Sequence, residues 1–136
     1  MSIEELRNEF LVDDDLGEEK LASVIKRLLP ICVVDKRGSV EIKRGGLSGR
    51  QLVKVVLAAR LIAHVLDQAI SDELNAEELA ANTGLPKNQA SARAKEAFDE
   101  KFADRTARGN YRARMRKIHE FLDELTGKAG KEHGHD

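Results

Sequence analysis

The sequence predicts a mostly α fold with one β-hairpin, organised around a long central helix. Apolar residues recur at helical spacing over most of the chain, and two β-branched runs flank a four-residue polar turn. A further segment, residues 48–70, is apolar around most of its circumference, as in a helix enclosed by other elements. With 136 residues, of which 41% are apolar, the chain has the size of one domain with an aliphatic core.

The expected elements follow one another along a single domain, residues 1–125. They are an acidic helical N-terminus over 1–30, a β-hairpin over 31–43, the central helix over 48–70, a pair of short helices over 75–98 and an amphipathic helix over 110–125, with a disordered tail over 126–136. In the N-terminus, Ile3, Leu6 and Phe10 lie at helical spacing. Pro30 ends the second helix because proline lacks an amide donor.

The central helix begins at Ser48, which has capping-box spacing to Gln51. Its polar residues form a narrow stripe that we expect to face solvent: Arg50, Lys54, Arg60, His64 and Asp67. The rest of its circumference must be covered, either by other parts of the chain or by a second copy in a dimer.

Residues 75–98 contain the signals of two short helices joined by a tight turn. Asn75 and Glu78 have capping-box spacing, which predicts a helix over 76–82. Gly84 suits the left-handed conformation of a sharp turn, and Pro86 presets the backbone at the start of the next helix.

Residues 74–98 resemble the helix-turn-helix of bacterial and archaeal transcription regulators. The resemblance is carried by Glu-Leu-Ala at 78–80, Thr-Gly-Leu at 83–85 and the polar start of the helix 87–98. It implies a helix-turn-helix domain packed on the long central helix. In such domains the later helix enters the major groove of DNA with its N-terminal residues at base edges.

The resemblance places five hydrogen-bonding side chains at the DNA surface: Lys87, Asn88, Gln89, Ser91 and Arg93. Asparagine and glutamine match the donor and acceptor pair of adenine, whereas arginine and lysine match guanine. Asn88 and Ser91 are equally suited to phosphate, which positions a protein without specifying sequence.

Charge is segregated along the chain, although 23 basic residues nearly balance 24 acidic ones. Residues 86–117 carry a net charge of +6, and residues 71–85 carry −4. Such a basic block is typical of a surface that meets a polyanion, and the alternative is a helix face in solvent. We expect four of its arginines to contact DNA phosphates: Arg105, Arg108, Arg112 and Arg116.

The C-terminal helix is predicted to carry an apolar stripe at steps of four and three: Tyr111, Met115, Ile118, Leu122 and Leu125. Docking on the chain's own core and pairing with a second copy are both consistent with this stripe. Residues 99–108 show no strand pattern, and Gly109 and Asn110 are typical of a break between helices and the cap of the next one. The sequence therefore predicts a helix-turn-helix and leaves open whether a wing belongs to it.

Catalytic, cofactor and metal signatures are lacking in the sequence. The glycine-rich stretch 44–50 lacks the ordered lysine and hydroxyl of a phosphate-binding loop. A single cysteine, Cys32, forms neither an internal disulfide nor a zinc cage, and it indicates a reducing compartment, most simply the cytoplasm. Charged residues interrupt the longest apolar stretch, 52–70, too often for a membrane span.

The function predicted from these observations is DNA binding by a homodimeric transcription regulator that is not an enzyme and needs no cofactor. The alternative is a non-catalytic protein or RNA interaction module in which the helix-turn-helix serves only as a scaffold.

Overall fold

The structure is a computed structural model that describes residues 2–11, 17–106 and 109–127. From residue 128 onward the predicted tail lies outside the described residues. The described ranges contain six helices and four strands: α1 (Ile3–Phe10), α2 (Glu18–Leu28), β1 (Cys32–Val34), β2 (Val40–Ile42), α3 (Gly49–Leu66), α4 (Ala76–Thr83), α5 (Lys87–Asp99), β3 (Ala103–Arg105), β4 (Tyr111–Ala113) and α6 (Met115–Thr126).

The long helix α3 is the centre of the fold, as the sequence predicts. Every residue from Val53 to Ala63 is buried, and α4, α5, α6 and both hairpins pack against it. Its first turn is closed by the capping box of Ser48 and Gln51. The helix ends at Leu66 instead of residue 70, because Asp67 adopts an extended backbone and its side chain accepts the amide of Ala69 at 3.1 Å. None of the described helices has the length and apolarity needed to cross a membrane.

Two residues of the predicted polar stripe, Lys54 and Arg60, are buried. The guanidinium of Arg60 donates to the carbonyl oxygens of Gly38, at 2.9 Å, and Ser71, at 2.7 Å. It therefore joins the turn of the first hairpin to the segment between α3 and α4. The expectation of a solvent-facing stripe was wrong here because helical spacing shows that residues share a face, and it does not show what covers that face.

The first hairpin confirms the prediction over 31–43. Strands β1 and β2 pair antiparallel, with Val34 opposite Val40. The backbone N–H of Val40 donates to the side-chain oxygen of Asn82 on α4 at 2.7 Å. This bond therefore connects the first hairpin to α4.

A second hairpin, β3 and β4, follows α5, where the sequence predicts none. Its register pairs Ala103 with Ala113 and Arg105 with Tyr111. Leu74 adds a third short segment, because its N–H and carbonyl both bond to Tyr111, at 3.0 and 2.8 Å. The missed strands are three residues long and rich in alanine and arginine, so neither a period of two nor β propensity is visible in the sequence.

The apolar stripe of the C-terminal segment is buried in the chain's own core, so it is not free to pair with a second copy. Ile118, Leu122 and Leu125 on α6 are each 3% exposed or less, and Tyr111 belongs to β4. Helix α6 accordingly begins at Met115, and the predicted break at 109–110 is the turn of the second hairpin.

Candidate nucleic-acid interface

The turn between α4 and α5 has the geometry that its residues predict. Gly84 has a φ of 81°, and its N–H donates to the carbonyl of Ala80 at 2.9 Å. The hydroxyl of Thr83 donates to the carbonyl of Leu79 at 2.6 Å and accepts the N–H of Leu85 at 3.2 Å. These bonds satisfy groups at the end of α4 and fix the direction in which α5 leaves.

One side of α5 is made of small buried residues. Ala90, Ala94 and Ala97 are each 1% exposed or less, and α5 packs on both α3 and α4. Alanine at each of these positions lets the helix axes approach closely. Because this side is fixed against the core, the opposite side of α5 faces solvent.

The outward side carries four of the five residues that the resemblance assigns to base reading: Lys87, Asn88, Gln89 and Ser91 are all exposed. In the described ranges, no side-chain hydrogen bond involves Asn88, Gln89 or Ser91. The ammonium of Lys87 lies 3.8 Å from the Glu77 carboxylate, and both side chains are at least two-thirds exposed. An ion pair of that length in water contributes little, so these polar groups are available to a ligand.

Arg93, the fifth residue, is half-buried and is not part of this outward side. Its guanidinium lies 2.7 Å from the Glu96 carboxylate, and it approaches the first turn of α3 at Gly49. The expectation that Arg93 is fully exposed is therefore corrected, and its role as a reading residue stays a prediction. Its side chain extends from α5 towards the first turn of α3, so it is partly covered although Gln89, one turn earlier, is exposed.

The predicted phosphate-binding arginines do not share one face. Arg105 is exposed and lies over the Tyr111 ring at 5.8 Å, whereas Arg112 is half-buried opposite Asp104. Because successive side chains of a strand alternate between faces, Asp104 and Arg112 lie on the opposite side of the hairpin from Arg105. Arg116 is exposed on the first turn of α6, and Arg108 lies outside the described residues.

Two acidic side chains that the sequence reading did not single out organise the second hairpin. Asp104 accepts two bonds from the guanidinium of Arg114, at 2.8 and 2.7 Å. Glu73 accepts the hydroxyl of Thr106 at 3.1 Å and the amide of Asn110 at 3.3 Å, so it ties together the two ends of the hairpin loop. Only the pairing of the strands brings these groups together, so no sequence spacing could have indicated them.

An ion-pair cluster holds the far end of α5. The carboxylate of Glu100 accepts bonds from Lys54 at 2.6 Å and from Arg50 at 2.9 Å, and Arg50 also reaches Glu124 on α6 at 3.2 Å. The bonds from Arg50 and Lys54 lower the pKa of the Glu100 carboxyl to about 2. These charges line a cleft of about 460 Å³. Because they neutralise one another, we assign them to the positioning of α5.

The remaining candidate chemical groups are the Cys32 thiol and the side chains that could hold a metal ion. Burial raises the pKa of the Cys32 thiol to about 11, so the thiol is protonated at neutral pH and is a poor nucleophile. Within the described ranges, no group of three or more His, Cys, Asp or Glu side chains is arranged to hold a metal ion.

Comparison with known proteins gives no relative for this chain. No family model matches it, and neither the curated proteins nor the solved structures contain a match.

Proposed function

We propose that this chain is a DNA-binding protein, a transcription regulator that reads the major groove with the N-terminal half of α5. One observation carries the proposal. At the polar start of α5, Asn88, Gln89 and Ser91 are exposed and make no side-chain hydrogen bond within the described ranges, while the alanine side of the same helix is fixed in the core. A rigid helix that presents asparagine and glutamine outward can form paired bonds with adenine in the groove.

The second hairpin supports the same proposal. It follows α5 after three residues and is joined to Leu74, so the order from α3 onward is helix, short strand, helix, helix and hairpin. This order matches the winged form of the helix-turn-helix. In that arrangement the exposed Arg105 would approach the DNA backbone beside the groove occupied by α5.

The test is selection of bound fragments from random duplex DNA by the full-length chain. We expect an enriched motif, and affinity for that motif should fall as salt rises because bound phosphates release counterions. Recovery of no motif, together with affinity that is independent of salt, would overturn the proposal.

Substitution in α5 then assigns the reading residues. Asn88→Ala and Gln89→Ala should each weaken binding to the selected motif by about 1–3 kcal/mol and relax the preference at one or two base pairs. Gln68→Ala is the matched control, because Gln68 is an exposed glutamine in the segment after α3. Both α5 variants should retain the helical circular dichroism of the parent chain.

A protein or RNA interaction module is the second candidate function. It is favoured by the acidic side chains that pair with the bases of α5, Glu77 with Lys87 and Glu96 with Arg93, because they reduce the positive potential at the reading surface. In that case duplex selection gives no motif. Single-stranded RNA or a partner protein binds the parent chain instead, and the same α5 variants weaken that binding.

A further inference from the structure

An apolar groove of about 280 Å³ opens on the side of the molecule formed by α2, β1 and the C-terminal half of α3. Its walls include Ile25 of α2, Leu29 at the C-cap of α2, Val33 of β1 and Leu66 of α3. Three of these are substantially exposed: Leu29 at 49%, Val33 at 37% and Leu66 at 62%. Concentrated apolar exposure of this kind marks an interaction surface more often than ordinary surface.

Helix α1 presents a second apolar surface that nothing in the described part of the chain covers. Ile3, Leu6 and Phe10 lie on one side of the helix at steps of three and four, and they are 80%, 45% and 86% exposed. The helix is well formed, with a complete capping box at Ser2. A short amphipathic helix gains most of its stability from packing of its apolar side, so α1 requires a partner surface.

The exposed large apolar residues are confined to these two places with one exception. Nine such residues occur in the described ranges. Ile3, Leu6, Phe10 and Leu11 belong to α1 and its C-cap, Leu29, Val33, Val65 and Leu66 lie in or beside the groove, and Phe98 is on α5. Within the described ranges, the exposed apolar side chains therefore mark an unfilled groove and an uncovered helix.

Charges around the two surfaces are complementary. The polar side of α1 carries Glu4, Glu5 and Glu9 with a single base, Arg7. Beside the groove lie Lys26, one turn before Leu29 on α2, and Lys43, which is close enough to Cys32 to act on its thiol. Asp67, the one acid that lines the groove, is a matching partner for Arg7.

We propose that two copies of this chain form a dimer in which α1 of each copy packs into the apolar groove of the other. In the single chain, α1 leaves Ile3 and Phe10 exposed, so it does not fill its own groove. The proposal does not rest on DNA binding, and its test is carried out without nucleic acid.

The first measurement is the molar mass of the full chain by light scattering over a range of micromolar concentrations. We expect twice the 15.1 kDa of one chain. A mass of one chain throughout the range would overturn the proposal, including the case in which α1 folds back onto its own groove.

Charge substitutions identify the contact. Leu66→Glu in the groove and Phe10→Glu on α1 should each raise the dissociation constant of the dimer by at least about tenfold. Both side chains are more than half exposed, so neither substitution removes a core residue. Phe98→Glu is the matched control, because Phe98 is 42% exposed but lies on α5, and it should leave the constant unchanged. A dimer that is indifferent to Phe10→Glu would overturn the assignment of α1 as the occupant.

Mixing the two variants tests the exchange of α1 directly. A pair of Leu66→Glu and Phe10→Glu chains retains one normal α1 and one normal groove, so the mixture should form heterodimers more readily than either variant forms homodimers. If the copies instead met groove against groove, α1 would play no part and mixing would give no recovery. That result would contradict the proposal.

Discussion

The ammonium of Lys54 lies 2.6 Å from the carboxylate of Glu100 and beside two aromatic rings, 5.1 Å from the centre of Phe102 and 5.9 Å from that of Phe121. Lys54 is a buried cation on the central helix, and Glu100 is the C-cap of α5. The pair therefore connects the core to the end of the proposed reading helix.

Removal of the carboxylate should cost more stability than removal of the ammonium. Glu100→Gln leaves Lys54 buried with only the two rings for compensation, and we expect a loss of about 1–3 kcal/mol, reduced from the fully buried case because Glu100 is 39% exposed. In Lys54→Met the methionine fills the same apolar space, and Glu100 retains its ion pair with Arg50. We therefore expect this variant to lose about 1 kcal/mol of stability or less. Urea unfolding of the two single variants and the double variant measures the coupling free energy between Lys54 and Glu100. A larger loss of stability in Lys54→Met than in Glu100→Gln would refute this account.

The Glu100 carboxylate should also make the stability of the folded chain depend on pH in the acid range. The pKa of Glu100 falls from 4.5 to about 2 in the folded chain, chiefly through its bond with Arg50. Because the folded form holds its proton less tightly than the unfolded form, the stabilisation is complete above pH 4.5 and is lost as pH falls towards 2. The stability difference between the parent chain and Glu100→Gln should therefore shrink over that interval. A stability difference between the two chains that stays constant from pH 4.5 to 2 would contradict the lowered pKa of Glu100.

Gly84→Ala should destabilise the chain by about 1–2 kcal/mol. The φ of Gly84 is 81°, and an added Cβ would meet no atom within 4 Å, so the whole cost comes from the backbone conformation. Gly45→Ala is the control, since Gly45 is equally open but lacks a positive φ. Thermal unfolding should separate the two variants clearly.

Lys101→Gly should stabilise the chain by about 0.5–1 kcal/mol. Lys101 is the one non-glycine residue with a positive φ in the described ranges, at 66°. It follows the C-cap of α5, and the bonds from Lys101 to Phe98 and from Phe102 to Ala97 close the helix end in the pattern that favours glycine. Lys95→Gly, on the exposed side of α5, should instead cost about 1 kcal/mol. Equal changes in stability for Lys101→Gly and Lys95→Gly would exclude the positive φ of Lys101 as the cause.

The salt dependence of DNA binding should identify which arginines meet phosphate. If Arg112 neutralises one phosphate, Arg112→Gln reduces the slope of log affinity against log salt by about 0.9. Lys20→Gln, on the exposed surface of α2, is the control and should leave the slope unchanged. The same measurement on Arg105→Gln tests the opposite face of the hairpin, and a change at both positions would require the DNA to contact both faces.

Much of the local structure was predictable because its signals are local. Ser48 with Gln51 and Asn75 with Glu78 form the capping boxes that their spacing predicts, and Gly84 adopts the left-handed turn. In the candidate site, the exposure of Lys87, Asn88, Gln89 and Ser91 follows from the alanine pattern on the other side of α5. The partial burial of Arg93 was not predicted, because it depends on how close α5 lies to α3.

The sequence by itself determined most of the helical content, the capping boxes of α3 and α4, the first hairpin and the turn before α5, because each depends on contacts within a few residues. Tertiary structure alone decided the second hairpin, the burial of Lys54 and Arg60 and the division of the arginines between two faces. Three-residue strands such as β3 and β4 carry too little periodicity to be recognised. They persist because Leu74 and Glu73 supply bonds from elsewhere in the chain and Arg114 bonds to Asp104 across the hairpin. A buried cation is likewise stabilised by partners distant in sequence, as Glu100 is from Lys54.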